Sequence, residues 1–192
     1  NDPKMLRDYP FECYLEDALT FPLEGYDVIH ASPPCQAFTV YGNNKLRVHS
    51  SHPNLIPATR LRLQTARLWV IENVPHAPLV GPLQLCGTSF GIEVRRHRLF
   101  ESNVRLLPLA CDHARFTERK YPGSSNRPNG RTVCNIGEWR VPLEAQRQVM
   151  EMPWVTSLYQ ISQAIPPAYT EYIGKQLLVF VKSRGSNGVT NA

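Results

Sequence analysis

A cysteine, a glutamate and two arginines stand in settings that chemistry can use. Cys35 lies in Ser32-Pro33-Pro34-Cys35-Gln36, directly after Tyr26–Ala31, where Val28 and Ile29 supply the β-branched bulk of a short buried strand. Two prolines cannot donate to a sheet ladder, so the predicted strand ends there and the chain turns with little freedom. The thiol is thereby set at the carboxyl end of a strand, where open α/β sheets take their ligands. Leu68-Trp69-Val70-Ile71 is a second apolar run of strand length, and it closes in Glu72-Asn73-Val74-Pro75. In a parallel sheet both ends point to one edge. A thiol and a carboxylate meeting there suit nucleophilic attack on an electron-poor ring, with the acid polarising the ring from its other side. A third piece, Val94-Arg95-Arg96-His97-Arg98-Leu99-Phe100, alternates so that a strand puts Arg96 and Arg98 on one face and Arg95 and His97 on the other. Two guanidinium groups on one face suit a phosphate or a base carbonyl.

In this order, SPPCQ, then ENV, then RRHRLF, the chain resembles the DNA cytosine-5 methyltransferases, in the manner of compact phage or actinobacterial-type members. The resemblance covers roughly residues 8 to 100 and 142 to 180. It implies that Cys35 attacks C6 of a flipped cytosine, that Glu72 holds ring N3, and that Arg96 and Arg98 complete the catalytic pocket. The family has a glutamine where this chain has Val94, which removes one polar contact. Ser32, Pro33, Gln36, Asn73 and Val74 are implied to line the substrate side. The implied cofactor is S-adenosylmethionine, met by Asp17, Ala18, Pro34, Leu55, Gln163, Ala164 and Ile165, and the implied partner is double-stranded DNA. Leu85–Gly91 is similar to the family's segment before the arginine strand, and Gln163–Pro167 with Ile173-Gly174 to its closing motif. The fold expected is α/β, a Rossmann-like S-adenosylmethionine-dependent methyltransferase fold with a short target-recognition insert. Residues 1–103 and 136–182 then form the catalytic domain, 104–135 the insert, and 183–192 a flexible tail. The family's Gly-rich cofactor turn has no counterpart in Asn1–Pro10, so the chain is expected to lack an amino-terminal portion. Two other readings share the motifs: an RNA (tRNA) cytosine-5 methyltransferase, and a non-catalytic DNA-binding remnant.

The elements that must position these groups come next. With 192 residues the chain is long enough for one domain with a real core. No apolar run nears membrane-span length and no signal segment opens the chain. Five cysteines without a framework spacing suit a reducing compartment, so a cytoplasmic protein is expected, and its expected state is a monomer. Charge is unevenly placed. From Val28 to Ile71 there is no acid, against Lys45, Arg47, Arg60, Arg62 and Arg67. From Val94 to Arg131 nine Lys/Arg face Glu101, Asp112 and Glu118, a net of +6 against +5 for the whole chain. Two such basic stretches lining a cleft are the footprint of a nucleic-acid binder.

Phe11–Leu15 reads as a short strand before Asp17, whose simplest alternative role is to cap a turn. Phe38–Asn54 is too polar to build core and too long for a simple connection, and the family uses this loop as a lid on DNA. Leu55–Leu68 reads as a helix with Pro57 in its first turn. Leu83–Phe90 and Glu93–Ser102 read as a hairpin-like pair of strands around Gly91. Val104–Asn135 has room for few base contacts. Cys111, His113 and Cys134 are too irregularly spaced for a zinc signature, and no metal is expected. Helices follow over Leu143–Met152, Trp154–Ala164 with Leu158 and Ile161 inward, and Pro167–Val181 with a stripe of Tyr169, Tyr172, Ile173 and Leu177.

Overall fold

The apolar run before Glu72 becomes the best-buried strand of a mixed four-stranded sheet. The computed structural model describes residues 9–39, 52–114, 134, 136–137 and 139–183. Strand β2 (Trp69–Asn73) has every residue buried, as a continuous apolar run covered on both faces should. Around it the order is β1-β2-β4-β3, with β1 at Ile29–Ala31, β3 at Leu83–Leu85 and β4 at Arg98–Ser102. Strand β1 runs parallel to β2 with Ile29 opposite Trp69 and Ala31 opposite Ile71. Strand β4 runs antiparallel to β2 with Glu72 opposite Phe100 and Asn73 opposite Leu99. Four α-helices accompany the sheet among the described residues: α1 (Ile56–Leu63), α2 (Leu143–Met150), α3 (Leu158–Gln163) and α4 (Pro167–Lys182). None is long and apolar enough to cross a membrane.

The chain divides into two compact units, Asn1–Thr20 with Leu85–Arg96 and Leu109–Thr170, and Phe21–Gln84 with His97–Pro108 and Glu171–Ala192. The second holds most of the sheet and α1. Its core joins Leu63, Trp69 and Ile71, flanked by Leu23, Ile29, Ala31, Ala66 and Leu79. Helix α1 starts as its sequence requires, with Pro57 in the first turn, where the missing N–H leaves no bond unmade. It ends before Leu68 because Gln64 and Ala66 turn their N–H groups to the carbonyls of Leu61 and Leu63, tightening the chain out of the α-helix. Arg60 forks onto Glu101, Nε to Oε1 at 2.6 Å and Nη2 to Oε2 at 2.8 Å, and Val80 N–H adds a third bond at 2.8 Å. Burial alone would raise the Glu101 carboxyl; the bonds from Arg60 and Val80 outweigh it and hold the group below its ordinary value.

The first unit centres on Ile92, Val94, Cys134, Val141, Val149, Met150, Val155 and Ile161. Helix α3 starts at a capping box: the Ser157 hydroxyl accepts from Gln160 N–H, and the Gln160 side chain accepts from Ser157 N–H at 3.1 Å. Gly87 opens a 3-10 turn (Gly87–Phe90) where a Cβ would meet the Val94 carbonyl oxygen at 2.5 Å, so no larger residue fits without movement.

Several expected elements differ. The strand expected over Tyr26–Ala31 is only Ile29–Ala31, and as the outer strand it is half-exposed rather than buried. Phe11–Leu15 forms no strand, and Phe11, Tyr14 and Leu15 are exposed. The expected pair of strands over Leu83–Phe90 and Glu93–Ser102 is replaced by two shorter ones separated by the 3-10 turn and a non-ladder segment. The reason lies in where the backbone groups of that segment bond: Val94 N–H to Ile92 O, Glu93 O to Cys134 N–H, and Arg96 O to the Tyr169 hydroxyl. Helix α3 begins at Leu158, not Trp154, because Ser157 is its cap. The stripe of α4 stands, with Tyr169, Ile173 and Leu177 buried and Tyr172 half-buried.

Candidate active site

The parallel register of β1 and β2 brings the two proline-terminated strand ends to one edge. Continuing that register past Ala31 and Ile71 sets Pro33 level with Asn73. The Asn73 side chain, 1% exposed, donates from Nδ2 to the Pro33 carbonyl at 2.9 Å and accepts at Oδ1 from Val74 N–H at 2.9 Å. One amide thus holds both loops. Beyond Pro33 and Pro34 the chain turns at once: the Cys35 carbonyl accepts from Phe38 N–H at 2.8 Å and from the Thr39 hydroxyl at 3.0 Å. Cys35 is half-buried, Ser32 and Gln36 are exposed, and Ala37 behind them is buried.

Glu72 is buried at the end of β2. Its partner follows from strand alternation. Phe100 is opposite Glu72, and Arg98, two residues earlier in β4, shares the Phe100 face. Arg98 is therefore the diagonal neighbour of Glu72, and its Nε lies 3.1 Å from Glu72 Oε1, both side chains being largely shielded from water. Arg98 also donates from Nη1 to the His97 carbonyl at 2.9 Å, which fixes the guanidinium at the strand entrance.

Arg96 goes elsewhere. It precedes β4, so the expected shared face with Arg98 does not form. Its Nη2 donates to the Ser162 carbonyl, and its own carbonyl accepts from the Tyr169 hydroxyl; all three residues belong to the first unit. The residues implied for a cofactor are likewise divided. Pro34, exposed, and Leu55, half-buried beside the start of α1, lie in the second unit. Asp17, Ala18, Gln163, Ala164 and Ile165 lie in the first. Asp17 caps a turn, accepting at Oδ1 from Leu19 N–H at 2.9 Å and at its carbonyl from Thr20 N–H at 3.1 Å. Gln163 is exposed at the end of α3, with Ala164 and Ile165 half-buried after it.

The loop residues Lys45 and Arg47, residues 115–133 and 135 of the expected target-recognition insert, and residues 184–192 of the expected flexible tail lie outside the described residues. The arginines read as a phosphate-binding surface have partners within the second unit. Arg60 pairs with Glu101. Arg62 donates to the Phe21 carbonyl at 3.0 Å. Arg67 bonds Asp27 at 3.0 Å and the last carbonyls of α4, those of Phe180 and Val181.

Three features were missed by sequence reasoning. Glu101, counted there as one of three acids against nine basic residues, is 3% exposed and paired; its place directly after the apolar Leu99-Phe100 is the only signal it offers. Cys134 does not accompany Cys111 and His113. It sits in the hydrophobic core, where burial, with Glu93 adding, pushes its thiol up to about 11. Cys86, 27 residues from His113 in the chain, takes that place with its Sγ 3.5 Å from His113 Nε2, and no spacing rule points to it. No protein-family model, curated protein or solved structure matches the chain.

Proposed function

We propose that the chain is the catalytic part of a DNA cytosine-5 methyltransferase with a Rossmann-like fold, acting on a cytosine flipped out of double-stranded DNA. The observation that carries this reading is the parallel β1–β2 register, with Asn73 bridging to Pro33, which sets the Cys35 loop and the buried Glu72–Arg98 pair at one sheet edge. Ligands of α/β sheets bind at such an edge.

The chemistry required is specific. Cytosine C5 is too weak a nucleophile to take a methyl group unaided. The Cys35 thiolate adds to C6, forming an S–C6 bond, and the C5–C6 π pair becomes available at C5. Charge then developing toward N3 is met by the Glu72 carboxyl, which must take up a proton when the base enters in order to donate it there, and Arg98 is the positioning residue that orients that carboxyl. After C5 is methylated, its proton leaves to a base. The electron pair re-forms the C5–C6 bond and expels the Cys35 thiolate, and the N3 proton returns to the Glu72 carboxylate. The base must be extruded first, because stacked neighbours cover both faces of its ring inside a duplex.

The residues implied for S-adenosylmethionine suit it chemically. Asp17 offers an exposed carboxylate with acceptor capacity beyond its one bond to Leu19, fit for an amine or a ribose hydroxyl. Ala164 and Ile165 in the first unit, and Leu55 in the second, are half-buried apolar side chains of the kind a purine would pack against. When bound, S-adenosylmethionine supplies an electrophilic methyl group.

The test is covalent trapping. With S-adenosylmethionine and duplex DNA carrying 5-fluorocytosine, the C5 position cannot lose its proton, and a denaturation-resistant protein–DNA band is expected that Cys35→Ala abolishes. A band formed with 5-fluorocytosine tRNA in place of duplex DNA selects an RNA enzyme. A DNA shift without any band, cofactor present, selects a non-catalytic binder.

A further inference from the structure

Within the first unit, three donor atoms converge. Cys86 follows β3 directly and is wholly buried, while Cys111 and His113 come from a single Cys-x-His stretch. Their ligand atoms all lie within 4.8 Å of one another. Cys86 Sγ and His113 Nε2 are 3.5 Å apart. Two donors at about 2.3 Å (sulfur) and 2.05 Å (imidazole nitrogen) from one ion, at a tetrahedral angle, stand about 3.6 Å apart. The pair therefore already has the edge length of a zinc tetrahedron.

The surroundings hold these donors in place. The Thr88 hydroxyl, itself buried, donates to Cys86 Sγ at 3.2 Å, an outer-shell bond of the kind that steadies a metal-bound thiolate. Arg95 Nη2 donates to the His113 carbonyl at 3.1 Å and pins the turn that presents the imidazole. Neither cysteine is in a disulfide. Two sulfurs and an imidazole are soft and borderline ligands, which exclude magnesium and calcium and suit zinc.

We propose that Cys86, Cys111 and His113 form a binding site for a divalent cation of the zinc class. The ion fastens the stretch 111–113 to the start of the 3-10 turn at Cys86. One coordination position remains for a further donor, protein or solvent.

Cobalt(II) titration of the reduced, chelator-stripped full chain tests this. A thiolate-to-cobalt charge-transfer absorption saturating at one ion per chain is expected, bleached by added Zn²⁺. Cys111→Ser and His113→Ala change surface-accessible positions, so circular dichroism should report folded protein for both. Each should weaken cobalt binding at least about tenfold, the effect of about 1.4 kcal/mol, while Cys13→Ser, an exposed cysteine outside the cluster, should leave it unchanged. The proposal is overturned by the absence of the absorption, by its survival in both variants, or by a Cys86–Cys111 disulfide in protein kept under reductant.

Discussion

Replacing Arg98 by methionine separates what the Glu72–Arg98 pair does for folding from what it does for chemistry. The two charges stand 3.1 Å apart, with side chains 15% and 10% exposed. At an effective dielectric of about 20 their Coulomb attraction is about 5 kcal/mol, most of which offsets the loss of hydration on burial. The intact pair therefore contributes little net stability. Removing one member alone is different, because it leaves the Glu72 carboxylate at the end of a wholly buried strand without its cation, at a cost of about 3–5 kcal/mol. Removing both leaves two apolar side chains of similar volume, and the double variant Glu72→Met/Arg98→Met should return to within about 1–2 kcal/mol of the parent.

Urea denaturation followed by circular dichroism measures the four corners of this cycle, and 5-fluorocytosine trapping is run beside it. Stability should fall in Arg98→Met and recover in the double variant, while trapping is lost in every variant lacking Glu72. A double variant no more stable than Arg98→Met, with a coupling energy within about 0.5 kcal/mol of zero, refutes the argument. The two residues would then not act as a buried pair.

Asn73→Ala removes the amide that bridges the two loops and leaves the Pro33 carbonyl without that donor; it should cost about 1–3 kcal/mol and slow trapping without abolishing it, and parent-like stability and rate would show that the bridge positions nothing. Glu101 has a carboxyl held below its ordinary value of 4.5 by Arg60 and Val80, despite burial. Its contribution to stability is therefore complete above about pH 4.5 and is lost as the pH falls through the folded value. Urea midpoints measured from pH 6 down to pH 3 should show that loss, with a shallower slope in Glu101→Gln; equal slopes would remove Glu101 from the acid response. Gly87→Ala places a methyl group against the Val94 carbonyl oxygen and should lower stability by about 1–3 kcal/mol, and an unchanged melting temperature would mean that the turn yields freely.

The site was legible where local sequence and tertiary structure demand the same thing. The run before Glu72 is apolar enough for a central strand, and the prolines after Ala31 and Val74 stop the chain wherever the strands lie. Given the parallel pairing of β1 and β2, the two polar strand ends fall at one edge. Reasoning failed where a partner distant in sequence decides the local conformation. Residues 93–96 have the alternation of a strand, yet their backbone bonds go to Cys134 and Tyr169, a choice no window of the sequence contains. Arg96 and Arg98 were alike on paper for that reason. One lies before the ladder and the other inside it. Phe11–Leu15 failed for the complementary reason: aromatic and apolar residues favour a strand only where a neighbouring strand covers them, and Phe11 and Leu15 are exposed.

Net charge misleads by the same route. The stretch from Val28 to Ile71 has five cations and no acid, which reads as a surface built for phosphates. Yet the acids matching two of them lie outside that window. Glu101 takes Arg60 in a two-pronged bond, and Asp27, one residue before the window opens, takes Arg67. The Arg62 guanidinium is spent on a backbone carbonyl. A guanidinium that forks onto a buried carboxylate contributes nearly nothing to the far field, since the pair is neutral at the distance of a DNA backbone. The carboxylate also fixes the arginine in one rotamer, so turning it toward a phosphate would leave Glu101 buried and unpaired. Any sequence-level count of phosphate contacts from this stretch must therefore be reduced by the pairs the fold makes internally. Basic character locates a nucleic-acid surface only after the tertiary partners of each arginine are known.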